Sequence, residues 1–468
     1  MRLVRTWMAC VIAIAGTLVA AAPATAGHGT ADNASNIEHL ANVPYPNEDT
    51  TNSDLAFWGD LVYAGNYDGF RIIDASDPRN PEVLSDYFCP GTQGDVGVWD
   101  TGRQRLLFVS VDRRQNDVDP SVNGECSSPD PTRTIGWEGV RVFDVTDPRS
   151  PRFLTGVPTD CGSHTHTVVP DERRNRVLIY VSSYPLTEQG ITQPDDEETD
   201  SECSPNHFKL SIVSVPFRSP QSARVINEPN ISPANGCHDI TAFIELKVAA
   251  GACLTEGQLY DISNPANPRV THHIYNPLIN FWHSASFTWD AKYLIFGDEE
   301  GGAAVTHGCN TGTPPGAAWF HERSRPEQPV GRFVQDRVQA PEGDVICTTH
   351  NYNILPTTDG RYLFASAFYE AGTGMVDFDG VRGRSPGPPL LVGQAASEVG
   401  YFDAQDTDGA GEADTWSSYW YNGLVVANDI ERGVDIFRPS GPATSPASSF
   451  DHLNPQTMEG PVRRTKRR

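Results

Sequence analysis

The chain has 468 residues and a formal net charge of −25. Nucleic acid and anionic lipid surfaces are excluded as partners, because both repel so acidic a chain. Nothing after the first 26 residues approaches the roughly 18 consecutive apolar residues of a membrane span.

The chain opens on a basic MRLVR, an apolar TWMACVIAIAGTLVAA and the small-residue site Ala24-Thr25-Ala26 before Gly27. That order is a secretory signal peptide over residues 1–26. Its removal takes Arg2 and Arg5 and no acid, so the exported product is more acidic still. Eight cysteines follow, at 89, 126, 161, 203, 237, 253, 309 and 347. An even number in an exported chain favours disulfides, and the shortest loops pair them in sequence: 89–126, 161–203, 237–253 and 309–347.

After a linker at 27–36, an internal repeat organises residues 37–437 as one domain. DASDPRNP (74–81), DVTDPRSP (144–151) and DISNPANP (261–268) each follow a β-branched strand, GFRII, GVRVF or GQLY, and each precede another strand. The octet is turn chemistry: Asp, Ser, Thr and Asn side chains bond nearby amides while proline fixes φ. Outer strands fall at 37–46, 81–89, 151–158, 221–229, 268–276, 329–337 and 388–395. The last strand, GVDIF at 433–437, has no successor, and IEHLANVPYP at 37–46 has no predecessor. The expected fold is therefore all-β, a seven-bladed β-propeller closed by the N-terminal strand completing the last blade. The tail from 438, Pro- and Ser-rich with a basic end, reads as disordered. The strand-turn pattern GFRIIDASDP, GVRVFDVTDP and GQLYDISNP resembles the LVIVD-repeat family of secreted or surface β-propellers. That resemblance implies architecture and no particular reaction.

Setting the inner strands in register aligns Ser53, Gly94, His164, His238, His283, His350 and Thr415 at one repeat position. Four consecutive blades thus offer a histidine, His164, His238, His283 and His350, where inner strands converge on the channel. Imidazole suits iron, copper or zinc, and four rings from four strands make a candidate metal site. The arrangement is similar, at the level of fold only, to that of carotenoid-cleaving oxygenases and of histidine-rich selenium-binding propellers. His166, two residues past His164, is an alternative ligand or a general base.

Other residues are subsidiary. Asp54, Asp95 and Asp239 are candidates to orient imidazoles. Asp298, Glu299 and Glu300 read as a solvated acidic turn, with one of them at the mouth as the alternative. Trp416, Tyr419, Trp420 and Tyr421 read as a ligand-stacking surface or as blade packing. DAQDTDGAGEAD (403–414) makes calcium a second candidate cation, although its spacing departs from an EF-type loop at Ala410. GRSPG (383–387) fits Gly-x-Ser-x-Gly in letters, but Pro386 removes the N–H an oxyanion hole needs.

Two functions follow for a secreted, monomeric propeller. One is a metal-dependent oxidoreductase or oxygenase acting on a small molecule. The other is a non-catalytic propeller that binds an extracellular protein, glycan or small ligand.

Overall fold

A computed structural model describes residues 34–47, 50–115, 126, 137–187, 190–191, 206–300, 316–335, 337, 346–404, 412–441 and 447–461. The expected signal peptide, Cys203, Cys309, most of the 403–414 loop and the basic end lie outside the described residues.

Seven successive antiparallel sheets form a seven-bladed β-propeller. Blade 1 runs from inside to outside as Asn52–Trp58, Leu61–Asn66, Gly69–Asp74 and Glu82–Phe88. The inner strands of blades 2 to 7 are Gln93–Asp100, Thr165–Asp171, Asp239–Phe243, Trp282–Phe287, Tyr352–Ile354 and Thr415–Tyr421. Ile37–Val43 pairs antiparallel with Gly433–Pro439 as the outer strand of blade 7. Helical structure among the described residues is limited to short 3-10 turns.

The blade pattern follows from burial. Second strands such as RVLIYVS (Arg176–Ser182) are buried on both faces by neighbouring blades, so they are continuous apolar runs. Outer strands such as EVLSDYF mix exposed and half-buried positions. The core is accordingly a ring of inter-blade clusters. Phe70, Ile72, Val98 and Phe143 fill the seam of blades 1 and 2, and Phe108, Val142, Ile179 and Val213 the next.

The repeated octets form the expected turns. Asp74 accepts from Ser76 N at 2.8 Å, Asp144 from Thr146 N at 3.0 Å and Asp261 from Ser263 N at 2.8 Å. Those bonds, strengthened by Arg269, hold the Asp261 carboxyl down at about 2. Arg71 and Arg141 share a repeat position and reach back to the preceding blade, Arg71 to Pro44 O and Arg141 to Pro90 O, both at 2.7 Å.

Cys89–Cys126 and Cys237–Cys253 are disulfides, and Cys161 and Cys347 are also disulfide-bonded. Such bonds persist in oxidising compartments.

Three expectations need correction. The outer strand of blade 6 is Ser397–Phe402, not 388–395, because Pro388 and Pro389 supply no N–H and start a helical turn at Pro389–Leu391 instead. The linker ends in Ala34–Ser35, which adds a strand to blade 6. The tail is not disordered over 447–461. His452–Leu453 pairs with the end of the blade 1 inner strand, and Thr457–Met458 runs parallel to that of blade 4. Asn454 exchanges two hydrogen bonds with the Val98 backbone, at 2.7 and 2.8 Å, and Thr457 Oγ1 donates to Val168 O at 2.6 Å. The inner strands of blades 1 to 4 therefore hold the tail at the channel end opposite the histidines.

Candidate metal centre

The four register histidines do meet. His164, His238 and His350 each donate a backbone N–H to the second strand of their own blade, at Ser182 O, Ala252 O and Ala367 O, which sets them at equivalent heights. The rings form a contiguous row: centroids are 4.3 Å apart for His164 and His238, 3.8 Å for His238 and His283, and 4.3 Å for His283 and His350.

Their outer nitrogens are anchored at both ends of the row. His164 Nδ1 lies 2.8 Å from Asp112 Oδ2, and His350 Nδ1 donates to Trp416 O. Each bond directs the opposite nitrogen, Nε2, inward, the outer-shell arrangement of metal-ligating histidines. Asp112 takes this role for the row, Asp95 meets the imidazole of His166 outside it, and Asp54 and Asp239 meet none. Asp54 accepts from Tyr419 OH at 2.6 Å, and Asp95 lies 2.9 Å from His166 Nδ1. Asp239 Oδ1 faces Thr165 Oγ1 at 3.4 Å. His166 also contacts Ser110 Oγ at 2.8 Å and stands apart from the row.

Between the anchored ends, partners run out. Neither ring nitrogen of His283 has a hydrogen-bond partner, and the residue is 1% exposed. His238 Nδ1 is also unpartnered; the His283 backbone lies beside that ring without completing a bond. An imidazole carries at least one N–H, and a buried donor without an acceptor costs about 1–3 kcal/mol. Burial first, then the neighbouring rings, hold His238 and His283 well below the usual histidine range. Burial holds His350 at about 3. These three rings are therefore neutral, which is the ligand form.

The carboxylate of the centre is Glu299. Its oxygens lie 3.5 Å from His283 Nε2 and 3.6 Å from His350 Nε2, and Tyr369 OH donates to it. His238, His283 and Glu299 each bring a ligand atom to within 4.8 Å of the others. The solvated acidic turn is thus overturned: Asp298, Glu299 and Glu300 are all buried. Asp298 is turned inward because it accepts Phe281 N at 3.0 Å and Glu300 N at 2.9 Å. Burial pushes Glu299 up to about 8 and Asp298 up to about 7.

Of the aromatic run in blade 7, only Trp416 meets the centre, edge-on to His350 at 5.0 Å. Tyr419, Trp420 and Tyr421 bond within and between blades. Tyr184 and Phe281, not singled out by sequence, flank His238 at 5.9 and 5.5 Å.

No family model matches the chain, and no curated protein matches it. Among solved structures it is similar to hydrazine synthase of Kuenenia stuttgartiensis, with a TM-score of 0.52 and 13% identity over 81% of this chain and 93% of that one. It is also similar to the computationally designed Ika8 protein, with a TM-score of 0.43 and 10% identity over 86% of this chain and 99% of that one. A functionally unknown protein from Desulfotomaculum acetoxidans gives a TM-score of 0.44 and 10% identity over 74% of this chain and 88% of that one. The first likeness shows a shared fold; identity this low carries nothing about activity.

Proposed function

We propose that this is an exported propeller of the LVIVD-repeat type whose channel mouth binds one transition-metal ion and carries redox or oxygen chemistry on a small molecule. The observation that carries the reading is His283, a buried imidazole with no hydrogen-bond partner at either nitrogen, set in a row of four imidazoles beside a buried carboxylate. His238, His283 and Glu299 would form the heart of the site, with His164 and His350 completing it. Nitrogen and carboxylate donors without thiolate suit iron, copper or zinc, and two histidines with one carboxylate are the set used by non-haem iron(II) oxygenases. A bound ion of this kind supplies Lewis acidity and, for iron or copper, electron transfer to a small ligand. The chain's own residues position the donors: Asp112 and the Trp416 carbonyl aim His164 and His350, and Tyr369 orients Glu299. Phe281 packs edge-on against the His238 ring.

One observation favours a stabilising ion in a non-catalytic binding propeller instead. His238, His283 and His350 are 4%, 1% and 1% exposed, which leaves a substrate little room. Elemental analysis of untagged, secreted protein never exposed to chelators tests the site: about one iron, copper or zinc per chain is expected, lost in His238→Ala/His283→Ala. A protein that stays metal-free after reconstitution would sink it. Perturbation of the metal's spectrum by azide or nitric oxide then separates an open, catalytic centre from a saturated structural one.

A further inference from the structure

We infer that the Cys237–Cys253 disulfide, with the Leu254 turn beside it, is the positioning frame of the metal centre. Resting on the metal-site reading above, this frame touches no ion and sets where the ligands stand.

The frame can be followed residue by residue. Cys237 directly precedes His238, and its partner Cys253 ends the second strand of blade 4, Val248–Cys253. Leu254 comes next and exchanges two backbone hydrogen bonds with Trp282. Trp282 N donates to Leu254 O at 2.9 Å, and Leu254 N donates to Trp282 O at 3.3 Å. Trp282 directly precedes His283. One residue earlier, Phe281 O accepts from Glu299 N at 3.2 Å. One disulfide and three backbone hydrogen bonds thus join His238, His283 and Glu299, the three residues whose ligand atoms converge.

Blade 4 does not need this disulfide to hold together. Its inner and second strands already pair from Asp239–Ala252 to Phe243–Val248, and the disulfide sits just past that ladder, on the side of the ligand. It spans 16 residues, against 37 for Cys89–Cys126, so it restrains the unfolded chain less. Leu254 is a second sign. It is the first central residue of the two-residue turn between Cys253 and Glu256, with φ at +61°. Glycine is the usual residue there, and leucine is strained in that region. Such strain persists only where the surroundings over-determine it. Here the disulfide fixes the preceding residue, Trp282 takes both backbone groups, and the side chain packs with Phe281. Both sulfurs are buried, and the Tyr260 hydroxyl lies 3.4 Å from each. A locked surround of this kind preorganises ligands before an ion arrives.

Full-length protein, stripped of metal and loaded with cupric ion, tests the frame by chelator competition and electron paramagnetic resonance. Cys237→Ala/Cys253→Ala should lower copper affinity by about 10–100-fold, the range for groups that orient ligands. It should also broaden the resonance, as the site loses its single geometry. Cys89→Ala/Cys126→Ala should lower Tm at least as much and leave affinity and spectrum unchanged. Leu254→Gly keeps the disulfide and suits the turn but frees the backbone, so it should weaken copper binding in the same direction. That variant decides the outcome if the first fails to fold. Wild-type affinity and spectrum in Cys237→Ala/Cys253→Ala or in Leu254→Gly, or an equal loss in Cys89→Ala/Cys126→Ala, would overturn this inference alone. A wild type that binds no iron, copper or zinc overturns it together with the metal-site reading.

Discussion

His164 Nε2 and His238 Nε2 stand 2.8 Å apart, although 74 positions separate them along the chain and they open different blades. The pairing exists because each histidine begins an inner strand at the same height, and adjacent inner strands converge at the channel mouth. Asp112, on the second strand of blade 2, completes it by holding His164 from behind. Asp112→Asn should therefore weaken metal binding by about 10–100-fold, read by competition with a chelator of known affinity. Unchanged affinity would mean that this contact does not aim the ring.

His283 gives a prediction whose sign depends on the ion. In metal-stripped protein, His283→Leu removes a buried ring whose nitrogens make no hydrogen bond and should stabilise the fold by about 1–3 kcal/mol. In loaded protein the same change should abolish the metal-dependent part of the stability. Urea unfolding with and without metal reads both, and a variant equally destabilised in both states would contradict the ligand role.

At the other end of the channel, Asn454 satisfies the N–H and the carbonyl of Val98, a residue without solvent exposure. Asn454→Ala leaves two buried backbone groups unmade and should cost about 1–3 kcal/mol for each. Hydrogen exchange should show faster exchange at Val98. If neither stability nor exchange moves, the tail contributes nothing to the fold.

The pH dependence follows from Asp54. Burial, then Asp95, raises its carboxyl well above the ordinary 3.8. The folded state thus holds a proton that the unfolded chain releases above about pH 4. The stabilisation is fully present below pH 3.8 and is lost as pH rises through the raised value. Asp239, pushed up to about 8 mainly by burial, acts in the same direction. Asp54→Asn should therefore flatten the decline in Tm between pH 5 and 8 relative to wild type. A parallel pair of curves would show that Asp54 is ionised throughout.

The architecture was legible because it repeats. The Asx-Pro octets are local chemistry, since Asp74, Asp144 and Asp261 each bond an amide two residues on. Blade count and the shared position of His164, His238, His283 and His350 follow from that spacing. Where repeat cues degenerate, boundaries slipped, as in the proline-rich stretch ahead of Ser397.

Glu299, Asp112 and Tyr184 carry no such periodic mark. DEEGG has the letters of a solvated turn, and only the inward rotation of Asp298 to the Phe281 amide buries Glu299 among the imidazoles. The tail is the same lesson at larger scale. Its composition is that of a disordered segment, and its partners, the inner-strand ends of four blades, come together only once the ring is closed. By itself the sequence determined which residues recur at equivalent heights, because turns and strands are set by near neighbours. Tertiary structure alone decided which carboxylate, phenol and terminal segment meet those residues, because such contacts depend on how separate blades converge on a common axis.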